Sequence, residues 1–371
     1  MYGLEHAGLG RYVMMLVDEL LKNDKKNEYV LFLNDKHVDE FIDRPRVKVV
    51  KVNFPIYGFM EQLFLPVIFA GQKLDILHVP HFNAPFLYPG KMVITIHDLI
   101  KHYSKGKETT TRRSWLYSVK RLGYLFLTNV IARKASHILT PSEYVKQDVI
   151  KTFHLDPNKV TVTYEAVDRS LSKVVLDSDE KKKILRKYGL TQPFVVYTGS
   201  VYPHKNVDVL INAIAEHNQT REVDLELALI CARSVFWERQ NQKIQNKGLD
   251  KWIKMLGFVE DQDISKIYSL ALALVHPSKM EGFGLTGLEA MKLGLPVISS
   301  NATCLPEVYG DAALYFDPND VSGLVFLLET IIKDKELRDE LITKGENQAK
   351  KYSWRKMAKE TLKVYKDLSA S

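Results

Sequence analysis

Leu274-Val275-His276-Pro277-Ser278-Lys279-Met280-Glu281-Gly282-Phe283-Gly284-Leu285-Thr286-Gly287-Leu288-Glu289 runs from an apolar segment through a glycine-rich loop into an amphipathic helix. The apolar segment, Ala271 to His276, reads as a strand buried on both faces, and the helix behind it makes one βα unit of a parallel sheet. Gly282 and Gly284 let the backbone approach a ligand closely. The helix that begins near Thr286 presents free N–H groups and its positive end to an anion such as a diphosphate. Glu281 and Glu289 bracket the loop, and ionised carboxylates accept the paired hydrogen bonds that sugar and ribose hydroxyls donate. Glu289 has a second reading, because Thr286-x-x-Glu289 is also a capping box at a helix start.

The same alternation extends outward over the chain. Strand-like runs occur at Tyr29 to Leu33, Val47 to Val52, Ile76 to Val79, Met92 to Ile96 and His137 to Thr140, then again at Phe194 to Thr198, Leu225 to Ile230 and Pro296 to Ser299. Periodic helices such as Val207 to Glu216 and Ile264 to Leu270 separate them. Apolar strands alternating with helices imply parallel sheets covered on both faces. A chain of 371 residues exceeds what one core usually supports, so two Rossmann-like domains are expected. The polar stretch Ser170 to Lys187 reads as the linker between residues 1–169 and 188–351.

Hydrophobic residues make up 46% and charged residues 26%, which excludes a disordered or fibrous chain. The two cysteines, Cys231 and Cys304, lie far apart with no partner at metal-ligand spacing, so a reducing, cytoplasmic compartment fits and a zinc site does not. Phe54 to Ala70 comes nearest to a membrane-spanning run, but Glu61, Gln62 and Pro66 interrupt it, and it reads as a buried helix pair. Residues 101–134 hold nine Lys or Arg against the single acid Glu108, a basic face suited to phosphates of substrate, lipid or nucleic acid. Within it Trp115, Val119, Leu122 and Phe126 share one helical face, which reads as packing into its own domain; the other reading is a surface resting on anionic lipid.

At the amino end, Gly8-Leu9-Gly10-Arg11 reads as a glycine-rich turn opening a helix from Arg11 to Lys22. In a doubly wound sheet such a turn follows the first strand. No apolar strand precedes it in this chain, so either the true start lies upstream or the sheet closes differently.

Glu281 and Glu289, with seven residues between them, in the setting His276-Pro277-Ser278-Lys279-Met280-Glu281-Gly282-Phe283-Gly284-Leu285, closely resemble the hallmark of glycosyltransferase family 4, a retaining GT-B family. The resemblance extends to Arg11-Tyr12, His97-Asp98, Thr140 to Glu143, Tyr164 to Asp168, Gly199 to Asn206, Leu305 to Val308 and Tyr352 to Trp354. It implies an α/β GT-B fold, with two Rossmann-like domains facing an inter-domain cleft and residues 352–371 crossing back onto the first. It also implies that Glu281 contacts the donor sugar and Glu289 the ribose, while the backbone of Gly282, Phe283, Gly284 and Leu285 cradles sugar and phosphate. Lys205 would neutralise the departing diphosphate, a cation placed where charge develops. Gly8, Gly10, Gly199, Ser200 and His204 complete the expected donor side. Ser200 stands where many members carry Arg, so one of two expected phosphate cations is either lost or replaced by His204.

By its residue type alone His97, at the end of an apolar strand, reads as a hydrogen-bonded structural histidine; the resemblance places it near the reacting sugar. Arg11, Tyr12, Glu61, His81, Asn83 and Asp98 are assigned to the acceptor side. Asp-x-Asp occurs at 177–179 and 261–263, but the first lies in the polar stretch and Asp263 suits a helix N-cap, so no metal site is expected. No cofactor is expected beyond the nucleotide sugar, GDP-mannose first and a UDP-sugar second. The expected acceptor is a glycan or a lipid-linked glycan in cell-surface polysaccharide synthesis, with peripheral contact to an anionic membrane on its inner face and none to nucleic acid. The competing readings are a nucleotide-sugar epimerase of the same fold and a non-catalytic protein that binds nucleic acid or an anionic surface.

Overall fold

The computed structural model describes residues 2–3, 7–54, 59–103, 114–220 and 223–370; for Ala7, Phe59 and residues 114–117, 119 and 120 it describes the backbone alone. These residues form two compact units. The first runs to Glu165 and takes in the chain from Ser353 onward; the second is Ala166–Tyr352.

Unit 1 starts with α1 (Ala7–Asn23), then β1 (Tyr29–Leu33) and β2 (Val47–Lys51), which pair in parallel as a sheet of their own. There follow α2 (Phe59–Ala70), β3 (Leu77–Val79), β4 (Met92–Thr95), α3 (Ile100–Tyr103), α4 (Ser114–Lys134), β5 (His137–Thr140), α5 (Glu143–Phe153) and β6 (Val160–Val162). Strands β3, β4, β5 and β6 stand side by side, all parallel. Every residue of β4 is buried because successive side chains enter different cores. Met92 and Ile94 join Phe69, Ile131, Ile138 and Phe153 in one core. Val93 packs instead with Leu139 and Val364.

Unit 2 begins with α6 (Ser178–Tyr188), β7 (Phe194–Thr198), α7 (Val207–Thr220), β8 (Glu226–Ile230), α8 (Val235–Asn246) and β9 (Ile253–Gly257). It continues with α9 (Asp261–Leu270), β10 (Leu274–His276), α10 (Leu285–Lys292), β11 (Val297–Ser300), α11 (Leu305–Tyr309), β12 (Ala313–Phe316), α12 (Val321–Lys333) and α13 (Lys335–Lys350). Its six strands lie in the order β12-β11-β10-β7-β8-β9, each neighbouring pair parallel. The chain enters at the centre on β7, works out to β9, then returns to lay β10 on the other side of β7. This reversal is where doubly wound sheets open a crevice beyond the strand ends. The last helix, α14 (Trp354–Ala370), belongs to unit 1, where Trp354 is fully buried against Tyr12 and Val364 reaches the sheet.

Four local expectations need correction. Gly8 and Gly10 lie inside α1, which starts at Ala7 and not at Arg11; burial of Tyr12, Val13, Leu16 and Leu20 along the helix outweighs a glycine penalty of about 1 kcal/mol per residue. The stretch read as linker is helical from Ser178 on, because Asp177 and Glu180 form a reciprocal capping box there. α2 is not buried all round: Met60, Leu63, Phe64 and Val67, one helical stripe, are 44–70% exposed. On α4, Leu122 and Phe126 are exposed, since Tyr124, Leu127 and Ile131 are the residues turned to the core. Trp115 and Val119 of that face, and Lys105, Lys107, Glu108, Arg112, Arg113 and Lys120 of the basic run, lie outside the described residues or side chains.

Candidate active site

The carboxyl ends of β7 and β10 are adjacent in unit 2, so the loops that leave them meet although they lie far apart in sequence. The loop after β7 turns at Gly199, whose φ of 143° few other residues adopt. The Tyr197 hydroxyl donates to the Ser200 carbonyl and holds this turn. A short turn at Pro203–Lys205 follows and ends at Asn206 in the left-handed region. The Asn206 amide donates to the carbonyls of Pro277 and Pro318, at 3.0 and 2.6 Å, and so anchors Lys205 beside the second loop. His204 presents its carbonyl to the Lys279 N–H and stacks its ring on Tyr202.

Lys205 Nζ donates to Glu281 Oε1 at 2.6 Å. The same oxygen accepts from Ser278 Oγ at 2.7 Å and faces His276 Nε2 at 2.8 Å. The Glu281 backbone N–H donates to Thr303 Oγ1, and the Cys304 thiol points at its carbonyl. Burial works against ionisation of this carboxyl, but Lys205 and His276 outweigh it and hold it well below the usual carboxylate range. With Oε1 saturated, Oε2 has no partner among the described residues and is the oxygen left to accept from a hydroxyl.

Beyond Glu281 the chain passes Gly282 and the inward-packed Phe283, whose ring meets Tyr352 edge-on, to Gly284 at φ 91°. Gly284 is the N-cap of α10, and Leu285 is its first residue. No side chain of the local sequence caps this helix, so Thr286 and Glu289 do not form the capping box that their spacing allowed. Glu289 lies on α10 close enough to Tyr268 to bear on its hydroxyl, which donates to Thr198 at the end of β7.

Neither Asp-x-Asp presents a pair of unengaged carboxylates. Asp177 caps α6. Asp263 is not the N-cap of α9, a position held by Glu260; it is buried and accepts from Lys187, Tyr188 and Lys266. Among the described residues no three His, Cys, Asp or Glu side chains group at metal-binding spacing.

Unit 1 gathers a second set at the ends of its strands. His97, just past β4, faces Glu165 Oε1 through Nδ1 at 2.9 Å and the Pro80 carbonyl through Nε2 at 3.3 Å. The Tyr12 ring stands edge-on to His97 with centroids 4.6 Å apart, and its hydroxyl meets Thr95 Oγ1 at 3.2 Å. Asn83 joins Glu61 to His81, donating from its side chain to Glu61 Oε2 and from its backbone to His81 Nδ1. Burial and the charge of His97 push His81 down to about 3, so it is neutral. Asp98 caps the start of α3 through the Ile100 N–H. Arg11, Gly8 and Gly10 lie in the first turns of α1, in unit 1.

The residues that sequence reasoning missed are the supports. His276, Ser278, Asn206, Thr303 and Tyr309 in unit 2, and Glu165 in unit 1, were quoted in motifs or passed over without a role. Their partners come from other elements, so local pattern carried no signal for them; only His276 and Ser278, bracketing a proline just before Glu281, could have been suspected.

The sequence matches two family models over nearly its whole length, Glycosyltransferase Family 4 at residues 6–171 and Glycosyl transferases group 1 at residues 177–348. It is 34% identical to the O-antigen chain mannosyltransferase B of Escherichia coli, covering 97% of this chain and 96% of that one. Its fold is similar to that of the sucrose-phosphate synthase of Thermosynechococcus elongatus, with TM-score 0.76, 18% identity and coverage of 98% and 94%. It is also similar to Anabaena HepE in complex with UDP and glucose, with TM-score 0.72, 19% identity and coverage of 98% and 97%. The two α/β units with parallel sheets are those of the GT-B fold.

Proposed function

The chain belongs to glycosyltransferase family 4, and on that premise we propose that it moves a hexose, mannose by first choice, from a nucleoside diphosphate to a glycan or lipid-linked acceptor with retention of configuration. The observation that carries this reading is the Lys205–Glu281 pair beside the Gly282–Leu285 backbone at the switch point of unit 2. A fixed cation next to an N-terminal helix end stabilises a departing diphosphate, and Glu281 Oε2 is placed to accept from sugar hydroxyls. GDP-mannose is the first donor because of the Escherichia coli relative, and a UDP-sugar the second because of the HepE complex. Glu289 takes the ribose.

The acceptor lies against unit 1, with His97 nearest the reacting sugar and Tyr12, Glu61, His81 and Asn83 forming the wall. The occupied state of Asp177 and Asp263 supports transfer without a divalent metal. The exposed stripes of α2 and α4 support peripheral docking of unit 1 on an anionic membrane, from the cytoplasmic side, where a lipid-linked acceptor would be met. No helix among the described residues is long and apolar enough to cross a membrane.

The test is incubation with GDP-mannose or UDP-glucose, mannose-terminated acceptors and EDTA, followed by analysis of the product linkage. Extension of the acceptor with the donor's anomeric configuration is expected. An inverted product refutes retention, activity restored only by Mn²⁺ refutes metal independence, and donor interconversion without acceptor use refutes transfer. Failure to bind vesicles of anionic lipid at low salt removes the membrane contact.

A further inference from the structure

Tyr309, the last residue of α11, is fully buried beneath the donor loop. Its hydroxyl lies 2.6 Å from the Gly284 carbonyl and 2.8 Å from His276 Nδ1. It therefore holds the Gly284 carbonyl from outside the helix, at an N-cap that no side chain of the local sequence caps. The two glycines make this approach possible: a Cβ on Gly284 would stand 2.6 Å from the Tyr309 oxygen, and one on Gly287 would stand 2.3 Å from Tyr309 Cζ.

Counting protons along this chain fixes the charge of the site. A tyrosine hydroxyl has one proton, and the short contact with a carbonyl that can only accept requires that it go to Gly284. The Tyr309 oxygen is then an acceptor, so His276 Nδ1 must carry a hydrogen. On the other side of the ring, His276 Nε2 faces a Glu281 oxygen at 2.8 Å, and that contact also needs a proton. Lys205 keeps Glu281 ionised, which leaves the proton on the ring. The other titratable groups around this carboxylate, Tyr197 and Cys304, are both kept neutral by burial.

We propose that Tyr309 is a positioning residue that holds His276 as an imidazolium, so that Glu281 is flanked by two cations and the Lys205–His276–Glu281 cluster keeps one net positive charge for a diphosphate. This deepens the function proposed above and rests on it for the identity of the anion. His276 joins Lys205 as a binding cation, and Tyr309 acts through His276 and through the Gly284 carbonyl without touching the ligand. The arrangement answers the serine at position 200, because the second cation comes from the strand below the loop.

The experiment is nitrogen-15 NMR of the imidazole rings in the full chain at neutral pH, with the His276 signals assigned by their loss in His276→Gln. Both ring nitrogens are expected at the protonated position. In Tyr309→Phe one of them should become bare, and affinity for GDP or UDP should fall about tenfold in Tyr309→Phe and in His276→Gln. A bare nitrogen in the native chain overturns the proposal, and that reading stands even if Tyr309→Phe does not fold. A ring state unchanged in Tyr309→Phe overturns the role of the tyrosine. Native nucleotide affinity in both variants overturns the assignment of the charge to a diphosphate. If His276 is doubly protonated and neither nucleotide binds the native chain, the transferase reading fails while the proton count stands.

Discussion

Lys205 Nζ and Glu281 Oε1 stand 2.6 Å apart although 76 residues separate them in the chain. The two loops meet because β7 and β10 are neighbours in a sheet whose strand order reverses between them. Both side chains are largely removed from water, with Lys205 23% and Glu281 9% exposed, so the pair works in a medium where charge is weakly screened.

Removing the lysine should therefore be felt in the chemistry more than in binding. Lys205→Ala is expected to lower kcat by roughly 100-fold or more, with a smaller change in KM, in assays of transfer from GDP-mannose. An unchanged kcat would assign the charge compensation to another group.

Glu289 offers a cleaner separation of fold from function. Its helix has Gly284 at the N-cap, with the Gly284 carbonyl held by Tyr309, and not a Thr286–Glu289 box. Glu289→Ala should keep its melting temperature within a few degrees and lose about tenfold in nucleotide affinity, read by calorimetry. A loss of stability with intact affinity would return the residue to a structural role.

Gly287 should tolerate no side chain. The atoms a methyl group would meet belong to Tyr309, which is buried and bonded at its hydroxyl and cannot retreat. Gly287→Ala is expected to cost about 1–3 kcal/mol in chemical denaturation, more than any helix-propensity gain from alanine.

Acid should expose a different ion cluster. Lys187 first, with Tyr188 and Lys266, holds Asp263 down to about 2 against the opposing effect of burial, from an ordinary value of 3.8. A carboxyl depressed in the folded state stabilises the fold above its unfolded value, and this contribution is lost as pH falls from about 3.8 to about 2. In Lys187→Ala the folded value rises toward the ordinary one, so acid unfolding should begin at higher pH when followed by circular dichroism.

Much of the fold was legible because central parallel strands are apolar on both faces. His137–Thr140 and Phe194–Thr198 are strands with the bounds the pattern implied. The strands that pattern missed, β6, β9 and β12, all lie at sheet edges, where only part of each is buried and the apolar signal thins. The exposed apolar stripe of α2 was read as core for the complementary reason: a helix apolar all round gives no sign of which side is covered.

The alternation of apolar strands with helices, the glycine loop after an apolar strand and the two glutamates around it were determined by the sequence alone, since each rests on neighbours a few residues away. The company those residues keep was decided by the tertiary structure. Nothing near Glu281 announces Lys205, and nothing near Gly284 announces Tyr309. The proton count that makes His276 a cation needs four groups from three separate segments, and the strand order of unit 2 is what brings them within hydrogen-bond reach.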